Sequence, residues 1–288
     1  MKFENLAYAK VNLEYDTDLF IKEYDTRILP STIPICNSEI GRKTTAPLNK
    51  YWGMVSPDEY DKVDVFTQEG NASSLKYIRR ERPQWQMVQL MELDITNVTD
   101  PLYIRYAKQG GPSIRNETLG PEYQFKIKEK FADLKIYKWI LENLPLTDIR
   151  NIHCVSIEPG GLSTIHRDCK GLVNTNSSAG LNKVYKNGFV IICLNITNGG
   201  GPLWWSLDGP GILNPYQSDD AVYITNDYFM HGVPLITSRR RQVRVMGRPT
   251  QALWDILEKD GMVMIPDDYK YQDNFALNYL PEEFRNSN

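Results

Sequence analysis

The chain has 288 residues, of which 41% are hydrophobic and 24% are charged. This composition is ordinary for a globular protein and provides enough apolar side chains for one large core. The formal net charge is −3, so we expect no nucleic-acid partner, because proteins that bind phosphate backbones carry a basic face. No apolar run reaches the roughly 18 residues of a membrane helix, and the N-terminus has no signal-peptide pattern. We therefore expect a cytoplasmic protein that makes no membrane contact.

The first half of the chain gives few regular patterns. Residues 1–60 predict irregular structure with short strands and one helix, and residues 84–95 predict a strand. Between residues 121 and 144, apolar side chains recur at spacings of three and four, which predicts an amphipathic helix that backs a sheet. Pro145 ends this predicted helix.

From residue 149 onward the pattern predicts short strands bounded by Gly, Pro, Asn or Asp. These predicted strands are 152–158, 164–168, 189–196, 203–207, 211–216, 221–225, 229–233 and 241–246. So many strands within about 100 residues are typical of an antiparallel jelly roll. A helix over 251–259 and an irregular tail are predicted after them.

The predicted fold class is therefore mainly β with flanking helices, built on a jelly-roll core. We interpret residues 1–288 as one domain, with a mixed region over 1–148, the core over 149–248 and a C-terminal helix and tail over 249–288. The stretch 170–187 is rich in Asn, Gly and Ser. It predicts a long loop that closes over a bound substrate.

A His-x-Asp pair and a distant histidine are the candidate metal ligands. His166 and Asp168 lie two residues apart on one predicted strand, so they project to the same side. His231 lies on a later predicted strand. Two imidazoles and one carboxylate are the ligand set of a non-haem Fe(II) site that leaves positions open for substrate and oxygen. The chain has only three histidines, and the third, His153, is predicted to be a hydrogen-bonded core residue.

An arginine-rich strand follows the second histidine. Arg241 comes ten residues after His231, and a guanidinium can hold a carboxylate through two parallel hydrogen bonds. A 2-oxo acid that chelates the metal could therefore reach Arg241 with its far carboxylate. Strand alternation puts Arg239 and Arg241 on one face and Arg240 and Arg244 on the other, so Arg239 stays open as an alternative anchor.

His166-x-Asp168, His231 and Arg241, in that order on short strands, resemble the Fe(II)/2-oxoglutarate-dependent oxygenase superfamily. The stretch 219–234 is similar to its aspartyl/asparaginyl β-hydroxylase and proline-hydroxylase branch. The resemblance covers about residues 150–248 and implies a double-stranded β-helix fold. It also implies that Fe(II), 2-oxoglutarate and O₂ are used, with release of succinate and CO₂.

The resemblance assigns roles to individual residues. His166, Asp168 and His231 would be the iron ligands, and Arg241 would anchor the co-substrate. The chain departs from many relatives at Val243, where they carry Ser or Thr two residues after the anchor. Because Asp168 is retained, the chain is not expected to be a halogenating member.

The expected primary substrate is a small polar carboxylate derived from an amino acid. It would be hydroxylated or closed into a ring, as kainoid synthases do, and its candidate contacts are Arg79, Tyr106, Arg115 and Trp204. Three other interpretations stay open. The chain could be a protein or peptide side-chain hydroxylase, a non-catalytic metal-binding jelly roll, or a zinc hydrolase.

Overall fold

The computed structural model describes residues 6–34, 85–99, 122–159, 163–166, 188–199, 204–206, 212–213, 221–225, 230–233 and 236–264. The helices in this part are α1 (Thr17–Glu23), α2 (Lys135–Asn143) and α3 (Gln251–Asp260). A π-helical turn (Tyr24–Ile28) follows α1, and 3-10 turns span Leu29–Ser31 and Glu129–Phe131.

The strands before residue 160 are β1 (Leu6–Lys10), β2 (Ile33–Pro34), β3 (Trp85–Gln89), β4 (Met91–Leu93), β5 (Phe125–Ile127) and β6 (Leu146–Ile157). Those after it are β7 (Ser163–His166), β8 (Val190–Asn198), β9 (Trp204–Ser206), β10 (Ile212–Leu213), β11 (Ala221–Thr225), β12 (Met230–Val233), β13 (Arg240–Pro249) and β14 (Met262–Met264).

The first two helices are capped by acidic side chains. The carboxylate of Asp16 accepts a hydrogen bond from the backbone N–H of Leu19 at 2.9 Å and caps α1. The carboxylate of Glu23, at the end of α1, accepts from the backbone N–H groups of Lys135 at 2.7 Å and Ile136 at 2.8 Å. The first N–H groups of a helix have no partner within it, and a negative charge there is favourable. Glu23 therefore fixes the start of α2 to the end of α1.

Three antiparallel sheets account for the strands in the described part. An eight-stranded sheet has the order β14-β1-β11-β8-β13-β6-β3-β2, a four-stranded sheet has the order β10-β9-β12-β7, and β4 pairs with β5. All of the recorded pairings are antiparallel. The described part of the chain is thus mostly strand with a few helices, as the sequence predicts.

Between β6 and β13 the chain passes repeatedly from one sheet to the other. β6, β8, β11 and β13 belong to the eight-stranded sheet, and β7, β9, β10 and β12 belong to the four-stranded sheet. In both sheets a late strand inserts between two early ones, since β13 lies between β6 and β8 and β12 lies between β7 and β9. This connectivity is typical of jelly rolls.

The two faces of the eight-stranded sheet differ sharply at β13. Val243 and Val245 are fully buried in the main hydrophobic core. That core also contains apolar residues of all three helices, namely Phe20, Ile136, Ile140, Leu253 and Leu257. Because successive strand residues point to opposite faces, Arg240, Gln242 and Arg244 belong to the other face. We call these the helix face and the polar face.

The helix predicted over 121–144 is wrong in its first half. The structure has strand β5 and a 3-10 turn there, and the helix begins only at Lys135. The spacing of three between Phe131 and Leu134 led to the error, because a 3-10 turn buries residues at that spacing as an α-helix does. Both residues are buried as predicted, and the helix ends before Pro145, also as predicted.

The strand predictions in the second half are confirmed wherever the structure describes them. β6 and β13 are longer than predicted, while β7, β9 and β10 are shorter in the described part. The stretch 84–95 forms two strands, β3 and β4, instead of one. The prediction of an irregular C-terminal tail is wrong for the first residues of that tail, because they form strand β14, which pairs with β1. Among the described helices, none combines the length and the apolar character that a membrane span requires.

Candidate metal and co-substrate site

The two histidines of the predicted metal site are direct neighbours in the four-stranded sheet. β7 and β12 are antiparallel, and their register pairs His166 with His231. Residues opposite each other in an antiparallel pair lie on the same face of the sheet, with Cβ atoms about 4.5–5.5 Å apart. The fold thus brings together two residues that are 65 positions apart in the sequence (231 − 166).

His231 also has a tryptophan as a cross-strand neighbour. On the other side of β12, His231 is paired with Trp205 of β9, and Trp204 is paired with Gly232. The backbone register thus places His231 between His166 and Trp205. The substrate contact predicted for Trp204 stays a prediction.

Arg241, the predicted co-substrate anchor, already holds a carboxylate in this structure. Its Nε donates to Asp25 Oδ1 at 2.8 Å and its Nη2 donates to Asp25 Oδ2 at 2.7 Å, which is the bidentate geometry of a strong ion pair. Its Nη1 donates to Thr197 Oγ1 at 3.2 Å and to the carbonyl of Arg239 at 3.3 Å. The side chain is only 13% exposed. These contacts join the π-helical turn after α1 to β13.

Arg239, the alternative anchor, is engaged in the same way. Its Nε donates to both carboxylate oxygens of Glu158, at 2.8 and 3.1 Å, and its Nη1 lies 3.5 Å from Asp25. The Glu158 carboxylate raises the pKa of Arg239 further above its ordinary value. The predicted shared face of Arg239 and Arg241 is confirmed by their common partner, Asp25. Their role as co-substrate anchors stays a prediction.

His153 lies in the centre of the polar face. The register pairs it with Arg244 of β13 on one side and with Gln89 of β3 on the other. Its Nε2 atom is buried, and no residue in the described part of the chain accepts from it or donates to it. Burial, together with a smaller contribution from the nearby Arg244 charge, lowers the pKa of His153 to about 3. The imidazole is therefore neutral at pH 7, and the prediction of a hydrogen-bonded core residue is wrong for this nitrogen.

Several predicted site residues lie outside the described part of the chain. These are the third predicted metal ligand Asp168, the predicted substrate contacts Arg79, Tyr106 and Arg115, and the loop 170–187. Among the side chains that the structure describes, no three His, Cys, Asp or Glu groups come together as a metal site. The side chains of His166, Asp168 and His231 are not in that set. The proposed metal ligation therefore rests on the register of β7 and β12.

The sequence gives no signal for the acidic partners of the arginines. Asp25 is 216 positions from Arg241 and lies in an unremarkable charged turn, and Glu158 is predicted only as the end of a strand. Long-range ion pairs of this kind have no local pattern. The sequence also has no signal for the buried Nε2 atom of His153 that lacks a hydrogen-bond partner in the described part of the chain.

Comparisons with known proteins give similarity at low identity only. No family model matches the chain, and no curated protein matches it. A prolyl-4-hydroxylase from Pseudomonas putida is similar with a TM-score of 0.38 and 10% identity, over 86% of this chain and 95% of that chain. AviO1 from Streptomyces viridochromogenes Tue57 is similar with a TM-score of 0.32 and 14% identity, over 85% of this chain and 90% of that chain. Similarity at these values does not assign a function to this chain.

Proposed function

We propose that this chain is a non-haem Fe(II)- and 2-oxoglutarate-dependent oxygenase. The observation that carries the proposal is the cross-strand pairing of His166 with His231. The proposal includes a double-stranded β-helix core within one domain over 1–288. The alternation of β6 to β13 between two sheets supports such a core.

The donor set fits the ion. Two imidazoles on one face, with the carboxylate of Asp168 two positions beyond His166, form the two-histidine, one-carboxylate set that suits Fe(II). Bound iron supplies the oxidation of a substrate C–H bond by O₂, with 2-oxoglutarate converted to succinate and CO₂. The task of the three residues is to hold the metal on one side and leave its other side open.

The polar face of the eight-stranded sheet supports a second part of the proposal, the binding of an anionic ligand. Val155 and Ile157 on this face are buried although they are not part of the main core, so the face is shielded from bulk water. The local dielectric constant is low at such a place. Charged and polar groups there, including Arg240 and Arg244, therefore interact more strongly with a charged ligand than they would in water.

We propose a small polar, amino-acid-derived carboxylate as the primary substrate. The candidate contacts Arg79, Tyr106, Arg115 and Trp204 belong to this proposal, and Trp205 is added to them because it is a cross-strand partner of His231. The outcome is hydroxylation or ring closure. We also propose that the protein is cytoplasmic and that its partner is a small molecule. Neither a nucleic acid nor a membrane is proposed as a partner.

An anaerobic titration tests the proposal. Fe(II) and 2-oxoglutarate are added to the protein, and the visible charge-transfer absorbance of their chelate is followed. We expect the band in the wild type and its loss in His166→Ala and His231→Ala. At saturating 2-oxoglutarate, His153→Gln should keep the band, because this third histidine lies in the other sheet.

The three histidine variants are matched controls for one another. Absence of the band from the wild type, with a native circular dichroism spectrum, refutes the oxygenase assignment and leaves the metal-binding jelly roll as the better interpretation. A band that survives in His231→Ala refutes the assigned ligand pair.

A further inference from the structure

A row of polar side chains crosses the helix face of the eight-stranded sheet beside the hydrophobic core. Arg241 lies two positions from the buried Val243 on β13, so both belong to the helix face. The row is formed by consecutive cross-strand partners on β3, β6, β13 and β8, namely Gln86, Ser156, Arg241 and Thr197. Polar groups at such a place are costly to bury unless each has a hydrogen-bond partner.

Three of the four side chains in this row have partners. Arg241 donates to both carboxylate oxygens of Asp25, at 2.7 and 2.8 Å. Thr197 Oγ1 accepts from Arg241 Nη1 at 3.2 Å. Thr32 Oγ1 donates to Gln86 Oε1 at 2.7 Å. The segment after α1, which contains Asp25 and Thr32, therefore lies against the row and supplies polar groups to it.

Two buried hydroxyl groups at this boundary stand out. Ser156, the fourth member of the row, is fully buried, and its Oγ atom has no hydrogen-bond partner in the described part of the chain. The same holds for the hydroxyl of Tyr24, which begins the π-helical turn. Buried polar atoms are almost always hydrogen-bonded in folded proteins. The two hydroxyls therefore indicate a bound molecule that completes them.

The contacts around the two hydroxyls place them in the same part of the protein. Tyr24 directly precedes Asp25, whose carboxylate is held by Arg241, and Arg241 is the cross-strand partner of Ser156. Burial raises the pKa of Tyr24 well above its ordinary value, and Cys154, Arg241 and Asp25 are close enough to act on it as well. Cys154 lies two positions from Ser156 on β6 and thus on the same face.

The chemistry of the site favours a neutral molecule that both donates and accepts hydrogen bonds. The charge of Arg241 is already balanced by Asp25, and the buried Tyr24 phenol stays protonated at pH 7, so no ion is required. A hydroxyl can donate one hydrogen bond and accept others. Water offers two donors and two acceptors, and buried water typically makes about three hydrogen bonds to polar groups that lack other partners.

We propose that the hydroxyls of Tyr24 and Ser156 bind one buried water molecule that joins the π-helical turn to β6. The water bridge and the ion pair of Asp25 with Arg241 together fix the segment after α1 to two neighbouring strands of the sheet. This inference does not depend on the proposed function, because neither hydroxyl belongs to the metal, co-substrate or substrate contacts named above.

A double-mutant cycle tests the bridge. Urea denaturation is measured for the wild type, Tyr24→Phe, Ser156→Ala and the double variant, and each substitution removes one hydroxyl oxygen. Each single variant should raise the unfolding equilibrium constant about 2- to 10-fold, which corresponds to the net contribution of one hydrogen bond. The factor for the double variant should be smaller than the product of the two single factors by at least about 2-fold, because both substitutions disrupt the same water site.

Tyr137→Phe is the matched control, since Tyr137 lies on α2 and is only partly buried. We expect no measurable change in its unfolding equilibrium constant. The proposal is overturned if either single substitution at Tyr24 or Ser156 lowers that constant, because removal of a buried hydroxyl that has no partner stabilises the fold. Independent effects that multiply in the double variant also overturn it.

A crystal structure at a resolution that shows ordered water gives a second, direct measurement. The expected result is one water peak within hydrogen-bond distance of both Tyr24 Oη and Ser156 Oγ, and its loss in the double variant. A side chain from another part of the chain at this position, a direct hydrogen bond between the two hydroxyls, or the absence of a water peak overturns the proposal.

Discussion

Replacing Asp25 with Asn tests whether Arg241 acts as a structural residue. The substitution keeps the size of the side chain and removes the charge that two guanidinium nitrogens contact at 2.7 and 2.8 Å. Arg241 would keep only its longer contacts, at 3.2 Å to Thr197 and 3.3 Å to the carbonyl of Arg239. A charge that is 13% exposed would then lack its counter-ion.

The expected cost lies between two limits. Removing one partner of a fully buried ion pair costs about 3–5 kcal/mol, and removing one partner of an exposed pair costs about 0–1 kcal/mol. Arg241 is 13% exposed and Asp25 is 32% exposed, so the pair falls between these cases. We expect a loss of about 2 kcal/mol in the free energy of unfolding.

Urea denaturation followed by circular dichroism measures this loss. The midpoint should fall without a change in the slope, because the substitution alters stability and not the surface exposed on unfolding. Asp133→Asn is the control, since Asp133 forms a bidentate pair with Arg27 but the two side chains are 67% and 43% exposed. We expect no measurable change in that variant. Equal midpoints for Asp25→Asn and the wild type would refute the structural role of the Arg241 pair.

Two further stability predictions concern buried polar groups. Asp148 accepts hydrogen bonds from Arg150 at 3.0 and 3.1 Å, and Arg150 is fully buried, so Asp148→Asn should cost about 2–4 kcal/mol. Asn tolerates the positive φ of 45° at this position. A change in the urea midpoint therefore reports the loss of the Asp148 charge and not backbone strain. A loss of less than about 1 kcal/mol in the free energy of unfolding contradicts this account. The pKa of His153 is about 3 in the folded protein, against an ordinary value of 6.5. Between pH 3 and pH 6.5 the imidazole therefore binds a proton more readily in the unfolded protein than in the folded protein. The contribution of the neutral His153 to the free energy of unfolding is complete above pH 6.5 and is lost as the pH falls towards 3. Relative to His153→Gln, the stability of the wild type should fall by about 1.4 kcal/mol per pH unit in that window, and parallel stability curves for the two proteins would refute it.

The sequence is informative where a short-range rule applies. The strand periodicity after residue 149, the break at Pro145 and the opposite faces of Arg241 and Arg244 all follow from the geometry of a few neighbouring residues. The pairing of His166 with His231 is compatible with the sequence, because both lie on predicted strands. The register itself is set by the way in which β12 inserts between β7 and β9.

Other features depend on contacts that no local pattern encodes. The sequence cannot show that Asp25, far away in the chain, accepts two hydrogen bonds from the guanidinium of Arg241. The early part of the predicted helix 121–144 fails because a 3-10 turn and a helix share the same short spacing. In each case the outcome depends on which distant surface packs against the segment, and the sequence has no short-range signal for that choice.

The most direct test of the central claim is the position of the metal. Crystals grown and loaded with Fe(II) without oxygen would give an anomalous difference map at the iron absorption edge. The account predicts one strong peak per chain, within bonding distance of the imidazoles of His166 and His231 and of the Asp168 carboxylate. A peak at any other site, or none in a crystal whose β7 and β12 keep the register of His166 with His231, would contradict it.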